Sequence, residues 1–390
     1  MANLASLPQR NVECFSLLGG PLHKMGRRLG LVRGTNTVRL GLALGVGLWL
    51  IVVILDLLGG PTDQLFALTV VGGHARLLLV IPLFFMCETW VDPLMTGFIG
   101  AIASAGLVPP GARAALNAEV TRANRRADAW WPEAVWLSVA ILLEVAGSSL
   151  GMYGTTGVYD PSRTRETLST FMYFRVGVTL FRFLVFRWTW KLVLWYWFIW
   201  RVSRLDLRLI PGHPDRDGGL GGIEAVHERF SLLVAAYSIL HCASLAESIA
   251  AGTLVVGATI YSWVAMVLLV DAVLFICPLL VFTDKLWASR TMGLARYQSL
   301  AARYATEFEA RWADGTVPEG APLLGTSDIQ SMADLDHTVK DVKEMRWITV
   351  SPRMLTMMTV AGIGPFLPLL LFKYPVADLA QKFLSKLIGL

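Results

Sequence analysis

Charged side chains sit inside long apolar stretches of this 390-residue chain, and their types and spacing could do chemistry. Glu88 and Asp92 stand four apart and so share one face of a helix, while Arg175 and Arg182, seven apart, share a face of another. Arg187 and Lys191 extend the basic series within the same aromatic segment. Such an acidic pair and basic stripe either neutralise one another across a helix contact or flank a hydrated path for ions or an anionic solute. His241 and Glu247, six apart, do not share a face of a straight helix; they offer a proton relay or two hydrogen-bonded interior groups. Glu144 and Asp271 are single acids, each expected to find an Arg, Ser or His on a neighbouring segment.

The most distinctive local pattern is His213-Pro-Asp-Arg-Asp followed by Gly-Gly-Leu-Gly-Gly. His213, Asp215 and Asp217 can converge around a turn as ligands for a divalent cation, and the glycines would let backbone amides approach a phosphate. Proline, aspartate and glycine are equally what a tight turn and a helix cap require. No P-loop lysine, strand-turn-helix GxGxxG or nucleophile elbow accompanies the pattern, which disfavours nucleotide binding and serine-hydrolase chemistry. The tryptophans 188, 190, 195, 197 and 200 suggest either a quinone-type pocket or, more simply, an interfacial belt. With His241 alone deep in an apolar segment, haem is disfavoured, and no residue pattern specifies a cofactor.

The elements that must position these groups follow from hydropathy. Hydrophobic residues make up 55% and charged residues 16% of the chain, too few charges for an ordinary water-facing surface, so lipid is the implied solvent. Seven segments reach the roughly 20 apolar residues a bilayer crossing needs. They run from Val38 to Leu58, Ala75 to Leu94, Trp130 to Tyr153, Phe171 to Trp200, Phe230 to Val256, Tyr261 to Phe282 and Met354 to Phe372. The first carries Gly41, Gly45 and Gly47 at close-packing spacing. Beyond the second, a softer apolar stretch up to Pro109-Pro110 suggests a lateral or re-entrant piece. The fourth, about 45 Å long if helical, exceeds a bilayer core and implies tilt or protrusion. The seventh contains Gly362, Gly364, Pro365 and Pro368, which predict a broken helix.

Basic residues orient the spans. Residues 23–33, the loop Arg113 to Arg126, the loop Arg201 to Arg216 and the stretch from Lys285 hold most of the Lys and Arg outside the spans, which places all four in the cytoplasm. Seven crossings with a cytoplasmic N-terminus follow; if the seventh segment turns back, the C-terminus stays inside. The chain therefore divides into a cytoplasmic N-terminal interfacial segment (1–37), a bundle of six spans (38–284), a cytoplasmic helical subdomain (285–353), and the broken seventh span with a C-terminal amphipathic helix (354–390). Within the subdomain, the sixth span is expected to continue as an amphipathic helix to about Trp312, and a second helix to open at Thr326-Ser327-Asp328. The net charge of +5 reads as this orientation signal, so nucleic-acid binding is disfavoured. Cys14, Cys87, Cys242 and Cys277 stand singly, without zinc or disulfide spacing. The first apolar run starts too late and continues too long for a cleaved signal peptide. No internal repeat is evident, which weakens a transporter built on inverted repeats.

The segments Gly19 to Leu31, Arg187 to Gly222 and Leu323 to Leu335, the last reading LLGTSDIQSMADL, resemble a family of multi-pass bacterial inner-membrane proteins to which no activity is attached. That resemblance implies bacterial origin and an inner-membrane location, and it transfers no functional residue.

The expected fold is therefore all-α, a polytopic transmembrane helix bundle of about seven spans with a small cytoplasmic helical extension. Its first functional reading is an oligomeric ion channel or transporter-like protein, with the lipid bilayer and further copies of itself, or other subunits of a membrane complex, as partners. The alternatives are a metal-dependent membrane enzyme acting on a lipid-linked phosphate, centred on His213, Asp215 and Asp217, and a scaffold or accessory subunit.

Overall fold

A computed structural model describes residues 14–59, 67–149, 168–254, 258–313 and 327–372. The chain is an all-α polytopic bundle: seven helices are long and apolar enough to cross a membrane, and no strand occurs among the described residues. They are span 1 (Val38–Gly59), span 2 (Leu68–Ser104), span 3 (Pro110–Gly147), span 4 (Leu168–Ser203), span 5 (Gly221–Ala250), span 6 (Ile260–Trp312) and span 7 (Pro352–Leu370). Spans 2, 4 and 5 bury the largest shares of their apolar windows, at 44%, 33% and 39%. They form the centre, around Phe84, Trp195, Phe198 and Phe230, all 1% exposed or less. Span 1 packs on span 2 through glycines. A Cβ on Gly41 would lie 2.7 Å from that of Phe85, and one on Gly45 would collide with the Leu77 carbonyl oxygen, whereas Gly47 faces open space.

Two segments differ from the sequence reading. The stretch before Pro109-Pro110 is no lateral piece: span 2 continues as one α-helix, Ile81–Ser104. Residues 113–126, expected as a loop, lie in the helix Pro110–Ala127, which Pro110 opens and which buries Leu116, Val120 and Ala123. Its arginines mark a solvated face of a helix rather than irregular chain.

The remaining expectations about winding hold. Span 6 continues into the helix Thr283–Phe308 through a π-helical turn, Ala272–Ile276, and a 3-10 stretch, Cys277–Phe282, where Pro278 interrupts regular bonding. Span 7 starts as the α-helix Pro352–Ile363, capped by the Ser351 side chain on the Met354 amide, and tightens to 3-10 winding over Gly364–Phe372. Two more π-helical stretches occur in span 2 (Arg76–Val80) and span 4 (Met172–Val178). The expected C-terminal amphipathic helix and residue Thr326 lie outside the described residues; the helix following Thr326 runs Ser327–Glu344.

The basic segments meet at one end of the bundle. The Arg208 amide donates to the Leu107 carbonyl (2.8 Å), the Arg346 amide to the Arg216 carbonyl (2.7 Å), and the Ser16 amide to Asn124 (3.1 Å).

Candidate functional site

The densest ionisable cluster lies between spans 2, 3 and 4. Glu88 accepts from Arg187 through a short contact and forms an ion pair with Lys191 at 2.9 Å, and Arg187 also reaches Glu133 at 2.8 Å. The side chains of Glu88, Arg187 and Lys191 are 2%, 3% and 7% exposed, and two carboxylates balance two cations. Arg187 and Lys191, four apart, project from one face of span 4, and Lys191 also lies over the Trp188 ring.

An extended N-terminal segment roofs this cluster. Phe15, fully buried, stacks on Phe198 at 4.2 Å between ring centres and lies against Trp195 at 5.7 Å. Asp92 forms no ion pair with Arg187 or Lys191 and instead accepts the Ser16 hydroxyl (2.7 Å) and the Leu17 amide (2.9 Å). The second Glu133 oxygen accepts the Leu22 amide at 2.7 Å, Thr96 donates to the Phe15 carbonyl at 2.6 Å, and Asn124 to the Cys14 carbonyl at 2.8 Å. Gly20 holds φ +83° against the Glu133 carboxylate, where a Cβ would stand 2.6 Å from oxygen, so both backbone and space require glycine. The helix Gly20–Arg28 then sets His23 over the cluster. Burial, reinforced by Lys191 and Arg187 against the opposing pull of Glu88, holds the His23 imidazole below its usual value of 6.5. A cleft beside Arg187, Lys191 and Glu133, walled by Leu17, Gly19 and Trp136, has room for about one water.

The pairing differs from the sequence expectation. Arg175 and Arg182 do not neutralise Glu88 and Asp92; they converge on Glu144 of span 3, at 3.8 and 2.8 Å. Span 3 answers span 4 twice because Glu133 and Glu144, eleven apart, lie on one helical face. His241 and Glu247 do not meet either. His241 bonds its own helix at the Tyr237 carbonyl (2.7 Å) and lies tilted against Trp263, while Glu247 accepts the Gly72 amide (2.7 Å) at the start of span 2. Asp271, expected to be answered by a neighbouring Arg, Ser or His, has a buried Oδ2 with no hydrogen-bond partner among the described residues. Of the five tryptophans, Trp188 and Trp195 belong to the core rather than a lipid-facing belt.

At the basic end, the His213–Asp217 turn uses its oxygens internally. Asp215 accepts the amides of Asp217 (2.9 Å), Gly219 (3.1 Å) and Gly221 (2.9 Å), and His213 stands 2.8 Å from the same carboxylate. Burial works against its charge, but these donors outweigh it and hold the Asp215 carboxyl below its usual value. Asp217, fully buried, pairs with Arg346 at 2.5 Å, and Arg346 also holds Glu224 at 2.7 Å. Burial, with Asp215 and Glu224 adding to it against Arg346, pushes the Asp217 carboxyl up to about 7. Among the described residues no group of three or more His, Cys, Asp or Glu is arranged to hold a metal ion. The turn docks the chain before span 7 onto the chain after span 4.

Sequence reasoning missed Glu133, Arg346 and His227. Glu133 follows Trp130-Trp131-Pro132 and reads as a first-turn acid of a helix, which it also is. His227 is fully buried, accepts from the Trp195 indole (3.1 Å) and meets the Phe275 carbonyl (2.8 Å) in the π-helical turn of span 6. Its signal was a histidine just before an apolar run.

No protein family, curated protein or solved structure compared with this chain matches it. Seven helices of membrane-crossing length and apolar composition, with paired charges on their inner faces, fit an integral membrane protein.

Proposed function

We propose that the chain is a channel or transporter-like protein of the bacterial inner membrane, with the basic end and the N-terminus in the cytoplasm. Its pathway would be the charged seam between spans 2, 3 and 4, lined by Arg175, Arg182, Glu144, Arg187, Lys191 and Glu88. The observation that carries this reading is the roofed cluster. Buried ion pairs are weak devices for stability, and apolar residues of similar volume do as well or better, so a balanced set deep in the bundle points to a use other than packing. The segment ending at Asp92 and Glu133 then acts as the closure at the cytoplasmic end. Lipid-facing Leu137, Ile141 and Leu142 on span 3 and Leu269 and Val273 on span 6 are surfaces for a second copy in a homo-oligomer.

The test is flux from proteoliposomes holding the full chain, beside a variant lacking residues 14–22. Conductance or counter-ion uptake that rises on removing the segment, and is lost in Glu88→Gln, supports the proposal. Vesicles no leakier than protein-free ones for both proteins refute it.

A scaffold role is the second reading, favoured by one observation: exposed Trp287, Met292, Ile329, Met332 and Trp347 on the helical extension. Stoichiometric copurification of another protein, lost when Trp287 and Trp347 become Gln, would select it.

A further inference from the structure

Among the described residues, carboxylates deep in this bundle are answered, with one exception. Glu88 has Arg187 and Lys191, Asp92 has Ser16 and the Leu17 amide, Glu144 has Arg182, Glu119 has Arg201, and Glu247 has the Gly72 amide. Asp56 stands in the last turn of span 1, where the helix leaves the bilayer. Asp271 lies eleven residues into span 6, about 17 Å along it and hence near the middle of a bilayer core. Its Oδ2 is buried and has no hydrogen-bond partner among the described residues.

At Gly362 the neighbours of the carboxyl are apolar. A Cβ on Gly362 of span 7 would stand 3.2 Å from Asp271 Oδ2, with Leu268 and Val234 next nearest. Glycine lets span 7 press its backbone towards the carboxyl. The ionisable groups on the packed elements are engaged elsewhere. On span 5, Glu224 pairs with Arg346, His227 bonds the Trp195 indole and the Phe275 carbonyl, and Arg229 lies over the Trp90 ring; His241 bonds the Tyr237 carbonyl and lies against Trp263, two turns along span 6 from Asp271; Tyr237 lies against Phe84, Glu247 caps span 2, and Cys242 also belongs to this span. On span 7, Arg353 pairs with Glu228 at 2.8 Å. Between Ile260 and Phe282, span 6 itself offers Tyr261 and Cys277, ten and six residues away, and its next charges are Asp284 and Lys285.

An ionised carboxylate held so, without cation or donor, is strongly disfavoured, and the group neutralises by taking a proton. A sodium ion would require several oxygens around it, which a carboxyl with no hydrogen-bonding neighbour does not provide. The chain on both sides of the contact is irregularly wound, π-helical and 3-10 over residues 272–282 and 3-10 over Gly364–Phe372, so the contact can open without unravelling an α-helix.

We infer that Asp271 is a proton-binding carboxyl between spans 6 and 7. The protonated side chain stays in the contact with Gly362; loss of the proton drives the carboxylate out of it and loosens span 7 from span 6. The site is independent of whether a solute passes between spans 2, 3 and 4.

The full chain in liposomes, treated with dicyclohexylcarbodiimide and mapped by peptide mass, tests this. The apolar reagent adds to protonated carboxyls in apolar surroundings. One adduct is expected, on Asp271, falling about tenfold for each pH unit above its midpoint and absent in Asp271→Asn. Mapping on the unaltered chain stands even if that variant fails to fold. An Asp271 adduct that is unchanged by added sodium chloride supports a proton site. Protection by sodium at constant pH would mean a cation site and overturn the inference. So would an absence of adduct at every pH, or modification of Glu88 to the same extent.

Discussion

Glu88→Gln removes one of the two carboxylates that balance Arg187 and Lys191 and leaves an uncompensated positive charge in the seam. With the three side chains 2%, 3% and 7% exposed, water does little to screen the loss, and breaking one side of such a buried pair costs about 3–5 kcal/mol. Lys191→Met alone leaves two carboxylates facing one guanidinium and is also destabilising. Combined, the two substitutions restore the balance, Glu133 facing Arg187, with an amide and a thioether filling the remaining volume. The double variant should therefore cost less than the sum of the singles by about 1–3 kcal/mol. Unfolding in mixed micelles titrated with dodecyl sulfate, followed by tryptophan emission, measures all three, since Trp188 lies against the Lys191 ammonium. If the two losses add to within about 0.5 kcal/mol, the side chains do not share one electrostatic site and the reasoning fails.

Other consequences are as direct. Gly45→Ala, which drives a methyl into the Leu77 carbonyl, should cost about 1–3 kcal/mol in the same titration, and Gly47→Ala, which faces open space, less than about 0.5 kcal/mol; equal effects would contradict the packing of span 1 on span 2. Asp215→Ala strips an acceptor from three amides and should destabilise by about 1.5–3 kcal/mol. Chelator should leave the melting of the unaltered chain in place, and divalent-ion stabilisation that Asp215→Ala lacks would reinstate a metal site. For His23, the roofed state holds the imidazole below 6.5 while the released segment keeps its ordinary value, so release takes up protons and docking weakens as pH falls below 6.5. The protection factors of the Leu17 and Leu22 amides, taken relative to the intrinsic exchange rate at each pH, should fall in acid in the unaltered chain and lose that dependence in His23→Gln; protection factors flat from about pH 8 to 5 would count against it.

The crossings were legible because twenty apolar residues in a row have one physical solution in lipid, and Gly364, Pro365 and Pro368 announced where the last would lose its α-helical winding. Which charges pair was not legible. Glu88 lies within reach of a basic side chain on span 4 in the sequence reading as in the structure, but the choice of Arg187 over Arg182 depends on the rotation and height of two helices, which hydropathy leaves free. The π-helical stretch Met172–Val178 turns span 4 further, below the resolution of a 3.6-residue pattern. The N-terminal segment was legible as basic and interfacial, yet the short run Phe15-Ser16-Leu17-Leu18 is too brief to carry a periodicity that would show Phe15 and Leu17 inserting. For the His213 turn, both readings used the same residues; the lengths of the bonds to backbone amides decide how Asp215 is employed.

The groups that hold the N-terminal segment grip its main chain far more than its side chains. Asp92, Asn124, Asp128 and Glu133 take the amides of Leu17, Ser16, Gly20 and Leu22, and Thr96 and Asn124 take the carbonyls of Phe15 and Cys14. Apart from Phe15, Ser16 and Gly20, whose own side chains or backbone are specified, recognition of this sort tolerates changes of residue and is strict about length. Drift at Leu18 or Pro21 leaves the clasp intact, whereas inserting or deleting one residue between Phe15 and Leu22 throws every donor out of phase with its acceptor.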